Sequence, residues 1–147
     1  EGFKRSPGFV ADTLEMTGCW KDLPKIYDEV VAAINAVPGT LAGSAHQSHA
    51  YIDGACLYFS LRGDVDVERR GAWYRAAWDA ANAVLVRHNA ALSHHHGVGL
   101  LRAPYMRDSL SSAFPILEAV KSALDPDNLL NPGKLGLSLD MPRDAKR

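Results

Sequence analysis

Gly54-Ala55-Cys56-Leu57-Tyr58-Phe59-Ser60-Leu61 is the stretch on which the fold turns. Aromatic and apolar side chains dominate it, and Asp53-Gly54 opens it, so it reads as a strand. Alternation puts Ala55, Leu57, Phe59 and Leu61 on one face and Cys56, Tyr58 and Ser60 on the other. The first set is the apolar one and marks the core side. Tyr58 therefore points away from the core, toward whatever covers the sheet. The segment Ala50-Tyr51-Ile52-Asp53-Gly54 supplies turn chemistry, which pairs 54–61 with the weaker extended run 41–50 as a hairpin.

Upstream, 9–16 mixes β-branched, aromatic and apolar residues after Pro7-Gly8 and reads as a further strand. The residues before it, 1–8, read as a loop. Asp22-Leu23-Pro24 marks a helix start, with Asp22 as N-cap and Pro24 in the first turn. Leu23, Ile26, Tyr27, Val30, Val31 and Ile34 follow at amphipathic helical spacing, and Pro38-Gly39 closes the segment. Downstream, Arg62-Gly63-Asp64 is expected to turn into the longest helix, 67–89. Its buried stripe would be Trp73, Ala77, Ala80, Ala81, Val84 and His88, small enough to sit close to the sheet. A short strand at 90–92 and a helix over 104–124 come next. Turns occupy 125–133, and fraying is expected after Gly136. The order gives an α+β fold, an antiparallel sheet with helices packed on one face. The stretch 1–136 is read as one domain and 137–147 as a tail.

Composition bounds the partners. With 147 residues, 47% hydrophobic, the chain has the material for a core. A net charge of −1 gives no basic field for nucleic acid. Cys19 and Cys56 fit no metal or redox spacing and read as buried thiols in a reducing, cytoplasmic compartment. No apolar run reaches the ~20 residues of a membrane helix.

The sharpest feature is Ser93-His94-His95-His96-Gly97-Val98-Gly99, which holds three of the six histidines. In an extended segment His94 and His96 would share a side and His95 would oppose them. Gly97 and Gly99 permit positive φ or close backbone approach. Such a loop suits an anionic ligand or a cofactor ring. Two other readings stand beside it: solvated loop residues, or a zinc site in which His46 and His49 join a member of the run across the hairpin. Consecutive histidines lack the i, i+4 spacing of common helical zinc sites.

The order of the segments resembles the C-terminal region of FAD-linked oxidases of the vanillyl-alcohol-oxidase superfamily, and within it the alkylglycerone-phosphate-synthase branch. Phe9-Val-Ala-Asp-Thr-Leu-Glu15, with Trp20 and Leu23, is similar to the family's strand entering the cap domain. Asp53-Gly-Ala-Cys-Leu-Tyr-Phe59 resembles the strand bearing its catalytic tyrosine, which falls on Tyr58. Ser93 to Gly99, with Arg102 nearby, resembles its active-site histidine loop. Leu124-Asp-Pro-Asp-Asn-Leu-Leu-Asn-Pro-Gly-Lys-Leu135 resembles its C-terminal signature. His95 stands where sister enzymes that oxidise D-2-hydroxy acids carry a glutamate, and Tyr58 where they carry a histidine. Leu100 occupies a position that is often lysine in the synthase.

The resemblance implies FAD as cofactor, held mainly by a flavin-binding domain that precedes this stretch, which is taken as an entry into a longer protein. It implies a reaction that exchanges the acyl group of an acyl-dihydroxyacetone phosphate for a fatty alcohol, with the flavin as a covalent trap. A phenol ordinarily ionises near pH ~10, so a tyrosine base needs help from its surroundings. Tyr58, His94, His95 and His96 take the catalytic roles on this reading. His95, His96, Gly97 and Asn131 contact the cofactor, and Arg102 and His94 contact the substrate. No metal is implied. The partner is a lipid-like phosphorylated small molecule, with peripheral membrane contact left to regions outside this stretch and a homodimer as a compatible assembly. Two alternatives remain: an FAD-dependent dehydrogenase or oxidase of a hydroxy acid or alcohol, and a non-enzymatic α+β module that binds metal or a partner.

Overall fold

A computed structural model describes residues 6–137. The loop expected over 1–8 lies largely outside them, and the tail 137–147 with its fraying lies almost wholly outside. The chain divides into two compact units, Glu1–His96 and Gly97–Arg147.

The first unit runs β1 (Phe9–Cys19), α1 (Leu23–Asn35), β2 (Thr40–Ala50), β3 (Gly54–Asp64), a 3₁₀ turn at Val67–Arg69 and α2 (Arg70–Arg87). The sheet is antiparallel in the order β1-β3-β2. The strand with the strongest apolar signal is thus the central one, joined to β2 by the expected hairpin. Its alternation is as read: Ala55, Leu57, Phe59 and Leu61 are buried, and Tyr58 and Ser60 are half-buried on the other side. Cys56, on the Tyr58 face, is fully buried as well, because a loop covers that part of the sheet.

Helices α1 and α2 pack on the apolar face. Leu14, Met16, Phe59 and Leu61 from the sheet and Ile26, Val30 and Ile34 from α1 are almost solvent-free. Each such side chain contributes roughly 1.5–3 kcal/mol of burial. Asp22 stands at the N-cap of α1, but its side chain makes no cap bond there; its backbone carbonyl accepts from Ile26 N at 2.9 Å instead.

Arg62-Gly63-Asp64 does not turn, contrary to the sequence reading. It completes β3, with Gly63 paired to Val10 and Thr40. A Cβ at Gly63 would stand 2.3 Å from the Trp73 ring. The missing side chain is therefore where α2 seats its indole, whose Nε1 donates to Thr40 Oγ1 at 3.1 Å. The buried stripe of α2 is Trp73, Ala77, Trp78, Ala81, Asn82, Val84 and Leu85, with Ala80 and His88 half-buried at its edge. Trp78 is drawn inward because its Nε1 and the Tyr74 hydroxyl both donate to Asp12 Oδ2 on β1. The strand expected at 90–92 reduces to one bridge, Thr17 with Ala91.

Glu29 on α1 clasps the end of α2. Arg87 donates to its Oε2 at 2.6 Å and His88 Nε2 lies 2.9 Å from the same oxygen. The hydrogen bonds from Arg87 and then His88 hold the Glu29 carboxyl at about 2, from an ordinary 4.5. A folded value below the unfolded one stabilises above the unfolded value and is lost as pH falls through the folded one. In the whole protein, Glu29→Gln is expected to lower the thermal midpoint slightly at neutral pH, since the pair is solvent-screened. The gap from wild type should close between pH 4.5 and 2. A gap that stays constant across that window contradicts the assignment.

The second unit contains α3 (Met106–Leu110) and α4 (Phe114–Leu124), with 3₁₀ turns at Ala103–Tyr105, Ser111–Ala113 and Lys134–Gly136. The single helix expected over 104–124 is broken at Ser111, whose φ is 47°. Pro115 explains the position. In a continuous helix its missing N–H and its ring would both fall against the carbonyl four residues back, which is Ser111. Asp125 then organises the turns after α4: it accepts from the amides of Leu129 and Leu130, both at 2.9 Å, and pairs with Lys121. The bond from Lys121 holds its carboxyl below the usual range, against the opposing effect of burial. Among the described residues, no helix is long and apolar enough to cross a membrane.

Candidate functional site

The face of the sheet turned away from α1 and α2 carries polar residues in rows set by strand register. Glu15, Tyr58 and His46 are cross-strand neighbours in one row; Thr17, Cys56 and His49 form the next. Residues 93–96 lie across these rows and bring their own side chains to them.

Tyr58 sits at the centre. Thr13 Oγ1 donates to its hydroxyl at 3.2 Å, and the same oxygen lies 3.2 Å from His96 Nε2. The His95 ring stacks near the phenol at 6.0 Å between centroids, and His46 flanks it at 5.3 Å. The array continues through His95 and His94 to His49, whose ring centre is 4.7 Å from that of His94. Tyr51 Oη closes on His94 Nε2 at 2.5 Å. The sequence residues Tyr58, His94, His95 and His96 are thus brought together, with His46 and His49 beside them.

The run is not extended, and His95 does not oppose its neighbours. Its backbone bends so that the amides of His94, His95 and His96 all point at the carboxylate of Glu15, the last two at 3.2 and 2.9 Å. Ser93 Oγ donates to the same carboxylate at 2.8 Å. Successive N–H groups turned toward one anion form a nest, and this turns all three rings to the same side. Glu15 is fully buried, and it was not singled out in the sequence. Between Leu14 and Met16 a glutamate reads as an outward strand residue; only the register places it under the loop. The nest's anion is the chain's own carboxylate, so the rings of the run, not its amides, are the donors left to meet a ligand.

The remaining residues read as contacts belong to the second unit. Gly97 and Gly99 adopt φ of 75° and 57°, the left-handed region the sequence allowed for. Arg102 is buried and donates from Nη1 to the Gly97 carbonyl at 3.0 Å. Asn131 takes φ of 49° in the turn closed by Lys134 N on its carbonyl.

One more constellation emerges in the first unit. Ligand atoms of His49, Cys56, His94 and His95 all lie within 4.8 Å of one another. Histidine and cysteine are the donors zinc favours. Against this, burial and then the charge of Glu15 push the Cys56 thiol up, which disfavours the thiolate a metal requires.

The family model of the FAD linked oxidases, C-terminal domain, matches residues 1–135. An alkyldihydroxyacetonephosphate synthase of Trypanosoma brucei brucei is 35% identical over 120 residues, 80% of this chain and 19% of that protein. A D-2-hydroxyglutarate dehydrogenase of Xanthomonas citri pv. viticola is 31% identical over 129 residues, 78% of this chain and 27% of that protein. A solved alkyldihydroxyacetonephosphate synthase superposes with a TM-score of 0.53 at 20% identity, over 87% of this chain and 21% of that one; it supports the α+β fold. The chain therefore spans about a fifth to a quarter of the length of these relatives.

Proposed function

The chain belongs to the FAD linked oxidases, as their C-terminal domain, and from that premise we propose that it forms the substrate-side wall of a flavin site that exchanges an acyl group for a fatty alcohol on a glycerone phosphate. FAD is the cofactor of the family. The second face of the sheet suits the ring end of such a cofactor. His95 and His96 offer exposed imidazole edges and faces beside a half-buried phenol. When bound, FAD supplies a temporary covalent hold on the substrate carbon.

The single observation that carries the reading is the Tyr58–His96 contact over a buried carboxylate. Tyr58 Oη is 3.2 Å from His96 Nε2, and His96 Nδ1 is 3.9 Å from Glu15 Oε1. With its own proton passed to His96 Nε2, the Tyr58 oxygen becomes the base for a proton on the substrate carbon. The imidazolium so formed faces the Glu15 carboxylate, which offsets the charge. Return of the proton from His96 through Tyr58 completes the cycle. His94 and His95 stand on the side of the array where a carboxylate or phosphate would meet cations.

A second reading is a hydroxy-acid dehydrogenase. It is favoured by relatives of that name at 31% identity and by the four clustered ligand atoms of His49, Cys56, His94 and His95. The test uses the whole flavoprotein with an acyl-dihydroxyacetone phosphate and a radiolabelled fatty alcohol, before and after dialysis against a chelator. The exchange reading expects labelled ether and free fatty acid in equal amounts, at a rate that chelation leaves unchanged. Absence of ether, with a chelator-sensitive oxidation of a 2-hydroxy acid restored by zinc, overturns it in favour of the second.

A further inference from the structure

We propose that Glu15 is the positioning residue of this site: its buried carboxylate sets the backbone of the histidine loop and, through His96, the hydroxyl of Tyr58. The inference rests on the reading of Tyr58 and His96 given above, but its structural half stands without it.

A carboxylate removed from water is expensive unless its oxygens are well satisfied, and an apolar residue of similar size would fill the space at less cost. Glu15 is fully buried. What its charge secures is orientation. Ser93 Oγ and three consecutive amides, those of His94, His95 and His96, all donate to its two oxygens. Fixing three successive amides on one centre constrains the backbone path of the run, and with it the points from which the rings reach Tyr51 and Tyr58.

The placement is as specific as the bonding. Glu15 is the cross-strand partner of Tyr58 in the β1–β3 register, so the anchor and the phenol share one row of the sheet. His96 connects the two: one ring nitrogen is 3.9 Å from Glu15 Oε1 and the other 3.2 Å from Tyr58 Oη. Among the charged and titratable groups facing the carboxylate are His96 from the loop and Cys56 from β3, the latter carrying the influence of the Glu15 charge. A glutamine at position 15 keeps the volume but presents amide hydrogens to amide donors. It can satisfy part of the loop and must repel the rest.

Three variants of the whole flavoprotein decide this: Glu15→Gln, Glu15→Asp, and Leu14→Ala as a control for plain destabilisation. Leu14 is equally buried but faces the helices. Displacing a reacting group by about 1 Å costs on the order of 10²-fold in rate. Glu15→Gln is expected to lower kcat by about that factor with KM little changed and flavin retained. Amide hydrogen exchange in a peptide covering Ser93 to Gly97 should speed up. Leu14→Ala should lower the melting temperature more, with kcat and loop exchange close to wild type. Glu15→Asp, which keeps the charge one methylene short, should fall between wild type and Glu15→Gln in both readouts, and it carries the test if Glu15→Gln does not fold. Wild-type kcat and unchanged loop exchange in Glu15→Gln, or in Glu15→Asp where only that variant folds, overturns the proposal. So does a Leu14→Ala variant whose kcat falls as far as that of Glu15→Gln. If wild type itself forms no ether, the exchange reading fails. The loop-exchange comparison needs no substrate and still decides the role of Glu15.

Discussion

Tyr58→Phe is expected to reduce turnover of the whole enzyme by roughly 10²–10⁴-fold, the range for loss of a general acid or base, while fold and flavin content stay normal. The substitution removes one oxygen and almost no volume. The ring keeps its neighbours His46, His95 and His96. What is lost is the bond from Thr13 Oγ1 and the contact with His96 Nε2. At a half-buried site such bonds are worth about 0.5–1.5 kcal/mol each, which the rest of the unit absorbs. His96→Ala should show the same pattern, a rate loss larger than its thermal penalty. Near-native turnover in Tyr58→Phe with normal flavin reduces Tyr58 to a strand residue and removes the mechanism, although the family assignment stands.

Phe59→Ala, one residue along, is expected to do the opposite. Phe59 is fully solvent-free beneath α1, with the Tyr27 ring stacked 6.5 Å away and Leu14 as its cross-strand neighbour. Truncating a buried phenylalanine costs about 3–5 kcal/mol through lost burial and the cavity left behind. A domain is stable by only about 5–15 kcal/mol, so the melting temperature should fall sharply and expression with it. The enzyme that remains folded should keep its kcat, because the opposite face is untouched. Chemical denaturation and active-site-normalised kinetics measure the two separately. A small stability loss with a large kcat loss contradicts the assignment of faces.

That contrast between adjacent residues was legible in the sequence, because alternation in β3 is local and the Asp53-Gly54 turn fixes the hairpin. The amphipathic spacing of α1 was legible for the same reason. Gly63 was misread because a glycine between two charged residues has the composition of a turn. Its actual reason is the Trp73 ring, a contact distant in sequence. The break at Ser111 was readable in principle, since Pro115 cannot continue a helix begun at 104. Glu15 was beyond reach for a different reason. Nothing local separates a strand glutamate facing water from one facing a loop; the β1–β3 register and the closure of 93–96 over it are both long-range. The convergence of Tyr58 with the three histidines followed the expected order of segments. The bend that puts their rings on one side follows from the Glu15 nest and could not be seen without it.

The flavin's own spectrum tests most directly the proposal that this face serves a redox-neutral exchange. The whole protein, held without oxygen, is mixed with an acyl-dihydroxyacetone phosphate and a fatty alcohol, and separately with a D-2-hydroxy acid. A redox-neutral exchange predicts many turnovers of ether formation in the first mixture with the oxidised flavin spectrum at the end, and no lasting bleaching in the second. Stoichiometric bleaching by the hydroxy acid, with no ether formed in the first mixture, contradicts it.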